Sequence, residues 1–144
     1  MVVGMKFRAF SLIEMLLVLG ILAVVSTAVF FASGRMLQGL QFTQFMNELR
    51  VATSRMQTEA QTDLIERVVL FREGEYVLAK RLGGGEILIS KTPYPASVKK
   101  ISGDQIAFAR SGVPSQSGTI VFKNSAGLLK KLVVAPVTGR IRVE

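Results

Sequence analysis

The sequence predicts an α+β protein, with one long N-terminal helix packed on a C-terminal, mainly antiparallel β-sheet. Three observations carry that reading. Residues Met15 to Gly34 contain no charged side chain. From there to Arg67, apolar residues recur in steps of three or four, the period of a helix with one dry side. From Val68 onward the pattern shortens to apolar runs punctuated by Gly, Pro and Asn, as in strands joined by turns. A helix followed only by strands comes to rest over one face of the sheet they form.

The 144 residues carry a net charge of +8 and include neither Cys nor His. That excludes disulfides, thiolate nucleophiles, Cys/His zinc sites and imidazole acid–base chemistry. The positive balance has two readings: a solubilising surface beside an anionic membrane, or attraction to nucleic acid.

The uncharged run is long enough to span a bilayer, since a helix of about 20 residues covers roughly 30 Å. Lys6 and Arg8 precede it with no acid before them, which keeps the N-terminus in the cytoplasm and sends the rest across. Three fates compete for this segment. It could be a secretory signal cut after the small residues Ser26 and Ala28, an uncleaved anchor, or a helix retained after a cut on its cytoplasmic side. Glu14, just inside the apolar run, helps to choose. A carboxylate there weakens a signal peptide or an anchor with no gain, unless it has a partner. A cut between Ala9 and Phe10 creates one: a new α-amine four residues away, one helical turn from Glu14. In an assembly that amine could equally belong to a neighbouring subunit.

The stretch "RAFSLIEMLLVLGILAVV" resembles the class III signal of type IV pilins and pseudopilins. That resemblance implies a leader over residues 1–9, cleavage at Ala9–Phe10 by a prepilin peptidase, N-methylation of Phe10, and an assembly role for Glu14. Ala9 departs from the Gly that most members carry before the cut. Members often have a Pro within the helix; here the first Pro is Pro93.

Residues 10–34 are thus expected to form a transmembrane and assembly helix. Residues 35–67 continue it as an amphipathic helix with a stripe of Phe42, Phe45, Met46, Leu49, Ala52, Met56, Ala60 and Leu64. Residues 68–144 form the β-rich domain. "RVVLF" and "EYVLAKR" flank "REGE" as a hairpin, and Gly83 to Gly85 make a turn before "EILIS". "KTPYPASVKK" reads as a proline-containing connection, "QIAFAR" as a short strand and "SGVPSQSG" as a loop. "TIVFK", "LLKKLVVAP" and "RIRVE" are three further strands, joined at "NSAG" and "VTG". The segments "VLFREGEYVL", "SGTIVFKNSAG" and "TGRIRVE" are similar to minor pseudopilins of the GspH/FimT kind, and most to the ComGD-type pseudopilin of Gram-positive competence systems.

Enzyme chemistry finds little support in these letters. Glu66, Glu73, Glu75 and Glu86 fall at strand ends and turns without a shared spacing, and no nucleophile elbow is visible. No catalytic residue, metal, cofactor or small-molecule substrate is expected. A basic element stands out instead. Alternation places Arg140 and Arg142 on one face of the last strand, with Lys130 and Lys131 in the strand before and Lys123 one strand earlier. Same-face arginines can grip successive phosphates in salt-sensitive, sequence-independent fashion. "GRIR" also resembles the tail element associated with DNA binding in FimT-type pilins. The plainer alternative is that these charges keep an exposed strand soluble, and no aromatic platform for bases lies beside them.

The expectation is a minor pilin-like subunit of a competence-type pilus, placed in the cytoplasmic membrane and then in a surface filament. Its partners are other major and minor pilin-like subunits, the peptidase, the membrane and, through the basic element, DNA. A separate motor ATPase supplies the work of extraction. A type II-like secretion pseudopilin and a pilus-associated DNA receptor are the alternatives.

Overall fold

A helix begins where backbone carbonyls first find amides a turn ahead, and here that carbonyl belongs to Ser11. It accepts from the amides of Glu14 and Met15 at 3.0 and 3.2 Å, and Ser is among the residues favoured at such an entry. The computed structural model describes residues 11–144, with the side chains at positions 29, 31–33 and 35 set aside. Helix α1 runs Leu12–Asp63, 52 residues without a proline. The chain divides into two units, Met1–Met36 and Leu37–Glu144.

In the first unit every side chain from Leu12 to Ala28 is exposed. Thr27 turns its hydroxyl back onto the Ala23 carbonyl at 2.7 Å, so it adds no unsatisfied donor to an apolar surface. Among the described residues no helix is long and apolar enough to cross a membrane. Phe10, and the side chains of Val29, Phe31, Ala32 and Ser33 within the uncharged run, lie outside the described residues, so part of the span expected over 10–34 does too.

In the second unit the helical stripe does what its period demands. Phe42, Phe45, Met46, Leu49, Met56 and Ala60 are buried, and Ala52 packs against them. Thr53 is fully buried in the same stripe, where its hydroxyl donates to the Leu49 carbonyl at 2.8 Å. Leu64 does not belong to the stripe. It is exposed and takes a left-handed backbone, φ 55°, a conformation that stops a helix and usually falls to Gly. The helix therefore ends at Asp63 rather than at the expected Arg67. The reversal lets Arg67, buried in the next strand, reach back to Asp63 and to Glu59, the latter at 3.3 Å.

Nine strands follow: β1 (Glu66–Phe71), β2 (Glu75–Leu82), β3 (Gly85–Pro93), β4 (Val98–Ser102), β5 (Gln105–Phe108), β6 (Pro114–Gln116), β7 (Gly118–Asn124), β8 (Leu129–Val134) and β9 (Ile141–Val143). They form two antiparallel sheets rather than the single expected one. The first has the order β3-β2-β1-β5-β6 and the second β4-β7-β8-β9. Two strands had been hidden by composition. β4 begins in the last three residues of the proline-containing connection "KTPYPASVKK", and β6 lies within the loop "SGVPSQSG". The chain changes sheet three times, from β3 to β4, from β4 to β5 and from β6 to β7; the second change is made at Gly103, φ 89°. A Cβ there would sit 2.9 Å from the Thr119 carbonyl oxygen, so the turn has room only for glycine.

Both sheets and the helical stripe share one core. The first sheet contributes Val69, Phe71, Tyr76, Leu78, Ile106 and Phe108; the second contributes Val98, Ile120, Phe122, Leu132 and Val134. Phe122 is fully buried at its centre, edge-on to Tyr94 at 5.4 Å and to Phe45 at 5.5 Å. This core fixes the sidedness of the second sheet and, with it, the direction in which each basic residue points.

Candidate assembly signal and basic surface

Two separate features were expected to matter: the signal around Glu14 and the basic cluster near the end of the chain. Glu14 is in the first turn of α1 and exposed. A carboxylate there faces the positive end of the helix dipole, a favourable position on a free helix. Ala9 and Phe10, the expected cleavage pair, lie outside the described residues, and so does the pairing of Glu14 with a Phe10 amine.

The basic cluster is rearranged by the core. On β8 the inward residues are Lys130, Leu132 and Val134, because Lys130 stands opposite the buried Phe122 in the β7–β8 register. Its ammonium donates to the Thr43 hydroxyl at 2.8 Å and lies 5.7 Å from the centre of the Phe42 ring. Lys130 is thus part of the helix-to-sheet packing and does not share a face with Lys131. The outer face carries Lys123, Lys131 and Arg142 instead, all exposed. Ile141 and Val143 pack inward against the core, which is the alternation the last strand was expected to show.

One further cation belongs with them. Lys99 on β4 is directly opposite Lys123 on β7 and is exposed. It was missed because its strand was read as a connection; the alternation of Val98 and Lys100 inward around Lys99 was the available signal. Lys100 turns inward and donates to the Phe71 carbonyl at 2.7 Å and to Asp104 at 3.0 Å. Like charges directly opposite across an antiparallel pair repel. Among the described residues, no acid is ion-paired with Lys99, Lys123, Lys131 or Arg142. Glu144, however, exchanges both backbone hydrogen bonds with Lys131, at 2.7 and 2.9 Å.

Arg140 precedes β9 and lies in a different setting. It lines a cavity of about 680 Å³ together with Arg50, Ser54, Arg55 and Thr138. The turn that carries it is seated on α1. Gly139, φ 63°, leaves no space for a Cβ against the Gln57 side chain, and that side chain donates to the Gly112 carbonyl at 3.1 Å. Arg55 is held by Glu59 at 2.6 Å. Among the described residues, Arg50 and Arg140 have no ion-pair partner. The expected five-residue cluster therefore resolves into an outer strip of lysines with Arg142, a cleft with Arg140, and the inward Lys130.

Comparison with known proteins addresses the N-terminal feature. Residues 4–30 match the family of the prokaryotic N-terminal methylation motif. The chain carries a type IV pilin-like signal. Neither a curated protein nor a solved structure matches it. The signal supports a pilin or pseudopilin, and the helix followed by antiparallel sheets is consistent with a pilin-like α+β fold.

Proposed function

We propose that the chain is a minor pilin-like structural subunit of a competence-type, type IV-like pilus that supports uptake of external DNA, and not an enzyme. The observation that carries this reading is the methylation motif over residues 4–30. In this reading the prepilin peptidase cuts Ala9–Phe10 and methylates the Phe10 amine. The helix over 10–34 holds the precursor in the cytoplasmic membrane as a single pass, with Lys6 and Arg8 keeping its N-terminus inside. The same helix then packs among those of other pilin-like subunits in the filament, where Glu14 pairs with a Phe10 amine and sets the axial stagger. An offset that left both charges unpaired in low dielectric would be strongly disfavoured.

Mass spectrometry of the mature N-terminus tests the scheme. The expected species begins at a methylated Phe10; a start at Val29 or an intact Met1 overturns it. The resemblance of the later segments to the GspH/FimT kind and to the ComGD-type pseudopilin favours DNA uptake over a type II-like secretion role. Deleting the chain separates the two: transformation is expected to fall with protein secretion unchanged, and the reverse pattern assigns it to secretion.

A second reading, direct contact with DNA, is favoured by the outer strip of the second sheet, where Lys99 and Lys123 face each other with, among the described residues, no acid paired to either. Phosphates would relieve that repulsion. The detergent-solubilised chain should retain DNA at low salt and release it at high salt, and Lys99→Ala/Lys123→Ala should lower the salt slope. An unchanged slope removes the strip from the site.

A further inference from the structure

The two sheets have four edges, and three are guarded. β6 and β9 are only 3 residues long, the first opening with Pro114 and the second bearing Arg142. β4 carries Lys99 and Lys100. Short strands, proline and lysine are the usual means of keeping an edge from pairing with another chain. The fourth edge, β3, is the least guarded: Lys91 and Pro93 fall in its last three residues, and a single bulge lies at Ile89. The strand runs 9 residues, with its one proline at the far end. Its centre is Ile87, Leu88 and Ile89, which are 46, 52 and 42% exposed.

The charges on β3 say what fits it. Its register with β2 slips at Leu78/Ala79: Leu88 faces Ala79 and Ser90 faces Leu78, so Ile89 is left as a bulge. Glu86 faces Arg81, Leu88 faces Ala79 and Lys91 faces Val77. Alternation on β2 puts Arg81, Ala79 and Val77 on one face, so Glu86, Leu88 and Lys91 share that face. Residues five apart on a regular strand would point to opposite faces; the bulge makes the difference. A second copy of β3, laid antiparallel about the Leu88–Ile89 peptide, then places Glu86 opposite Lys91 of the second copy, and Lys91 opposite its Glu86. Ile87 meets Ser90 on the other face, and Leu88 meets Ile89. A parallel copy in register would set Glu86 beside Glu86 and Lys91 beside Lys91, which is unfavourable.

We propose that β3 is a self-association edge, through which two copies of this chain pair antiparallel and join their five-stranded sheets into one. Each new charge pair extends interactions already present. Arg81 holds Glu86 at 2.8 Å and Glu75 approaches Lys91 at 3.8 Å. The joint therefore carries two rows of alternating sign: Arg81, Glu86, then Lys91 and Glu75 of the second copy. The proposal needs neither the leader nor the DNA-uptake reading, and it stands or falls separately from them.

The absence of cysteine from the chain makes its test clean. Two differently tagged full-length copies, one Glu86→Cys and one Lys91→Cys, are co-expressed and oxidised in membranes. The expected product is a disulfide joining the two tags, well above the yield from two Glu86→Cys copies. Monomer only, cross-links only to other membrane proteins, or equal yield from Glu86→Cys with itself overturns the proposal. Charge reversal gives the second arm, with self-association of the full chain measured in detergent. Glu86→Lys or Lys91→Glu should each weaken it about twofold to fivefold for each of the two charge pairs, and Glu86→Lys/Lys91→Glu should restore it. If the single changes act only by damaging each copy's own pairs with Arg81 and Glu75, the double variant is the weakest of the three, and the proposal fails.

Discussion

Replacing Lys130 by Met separates the two roles that the sequence and the structure assign to it. The sequence groups this residue with Lys131 and Lys123 as a phosphate contact; the structure turns it inward, onto Thr43 and the Phe42 ring. Met keeps most of the apolar stem and removes the ammonium. The hydrogen bond to Thr43 is charge-assisted, and the position over Phe42 adds a cation–π contribution. Fully desolvated, the two together would reach about 2–4 kcal/mol. Lys130 is only half-buried, and water takes over part of both interactions, so the expected loss is about 1 kcal/mol. Urea unfolding of the detergent-solubilised chain reads that loss, and DNA retention at low salt is measured on the same samples. Lys130→Met should lower the unfolding midpoint and leave DNA retention unchanged. Lys131→Met should do the opposite, with a stability change within about 0.5 kcal/mol, as for other surface positions. The assignment of sides is refuted if Lys130→Met unfolds like the parent chain and loses as much DNA retention as Lys131→Met.

Three further outcomes are expected. The Tyr94 hydroxyl is buried with no hydrogen-bond partner among the described residues, so Tyr94→Phe, which keeps the ring contacts with Phe45 and Phe122, should leave stability equal or higher by up to about 1 kcal/mol. Burial also holds the Tyr94 phenol above its ordinary value; the unfolded chain then loses its proton first, and stability that is full below about pH 10 falls as the pH rises beyond it. Melting curves in mildly and strongly alkaline buffer should show a shallower decline for Tyr94→Phe. Gly103→Ala should cost about 2–4 kcal/mol, from left-handed strain and the approach to the Thr119 carbonyl together, read as a drop in the unfolding midpoint. Glu14→Ala should leave the fold of Leu37–Glu144 intact by circular dichroism yet abolish co-assembly with partner pilins; normal incorporation would remove Glu14 from the assembly mechanism.

The helix and most strands were legible in the letters because their periods are long and clean. Phe42 to Ala60 recur at helical spacing, and "TIVFK" alternates around Ile120 and Phe122. Local signals failed where a long-range contact decided the outcome. Leu64 fits the helical period, but the chain must reverse there for Arg67 to reach Asp63 and Glu59. "VKKIS" looks like a polar connection, since its inward lysine is satisfied by the distant Phe71 carbonyl. One of the three changes of sheet falls at Gly103, where a Cβ would crowd the carbonyl of Thr119 on another strand. The basic site was half legible for the same reason. Alternation gave the sidedness of Ile141, Arg142 and Val143, but which face of β8 meets the core depends on Phe122 opposite Lys130.

The two halves of α1 need different things from their surroundings. In the second unit one stripe of the helix is buried by the sheets, and the remaining faces are polar enough to stay wet. In the first unit the described apolar side chains from Leu12 to Ala28 are exposed on all sides. A helix apolar all round gains little by folding alone; its stabilisation comes from whatever covers it, lipid or other helices. Glu14 is the one charged residue on that described stretch, and the same covering strips water from its carboxylate. The penalty amounts to several kcal/mol unless the covering surface brings a cation. An uncleaved helix of this sequence offers none nearer than Arg8. A chain cut before Phe10 offers an amine at the helix end itself, on its own subunit or on the neighbour's. In the proposed reading one group, the Phe10 amine, answers both the demand of a covered Glu14 carboxylate for a cation and the N-terminal methylation motif matched over residues 4–30, although one is an argument about solvation and the other about sequence.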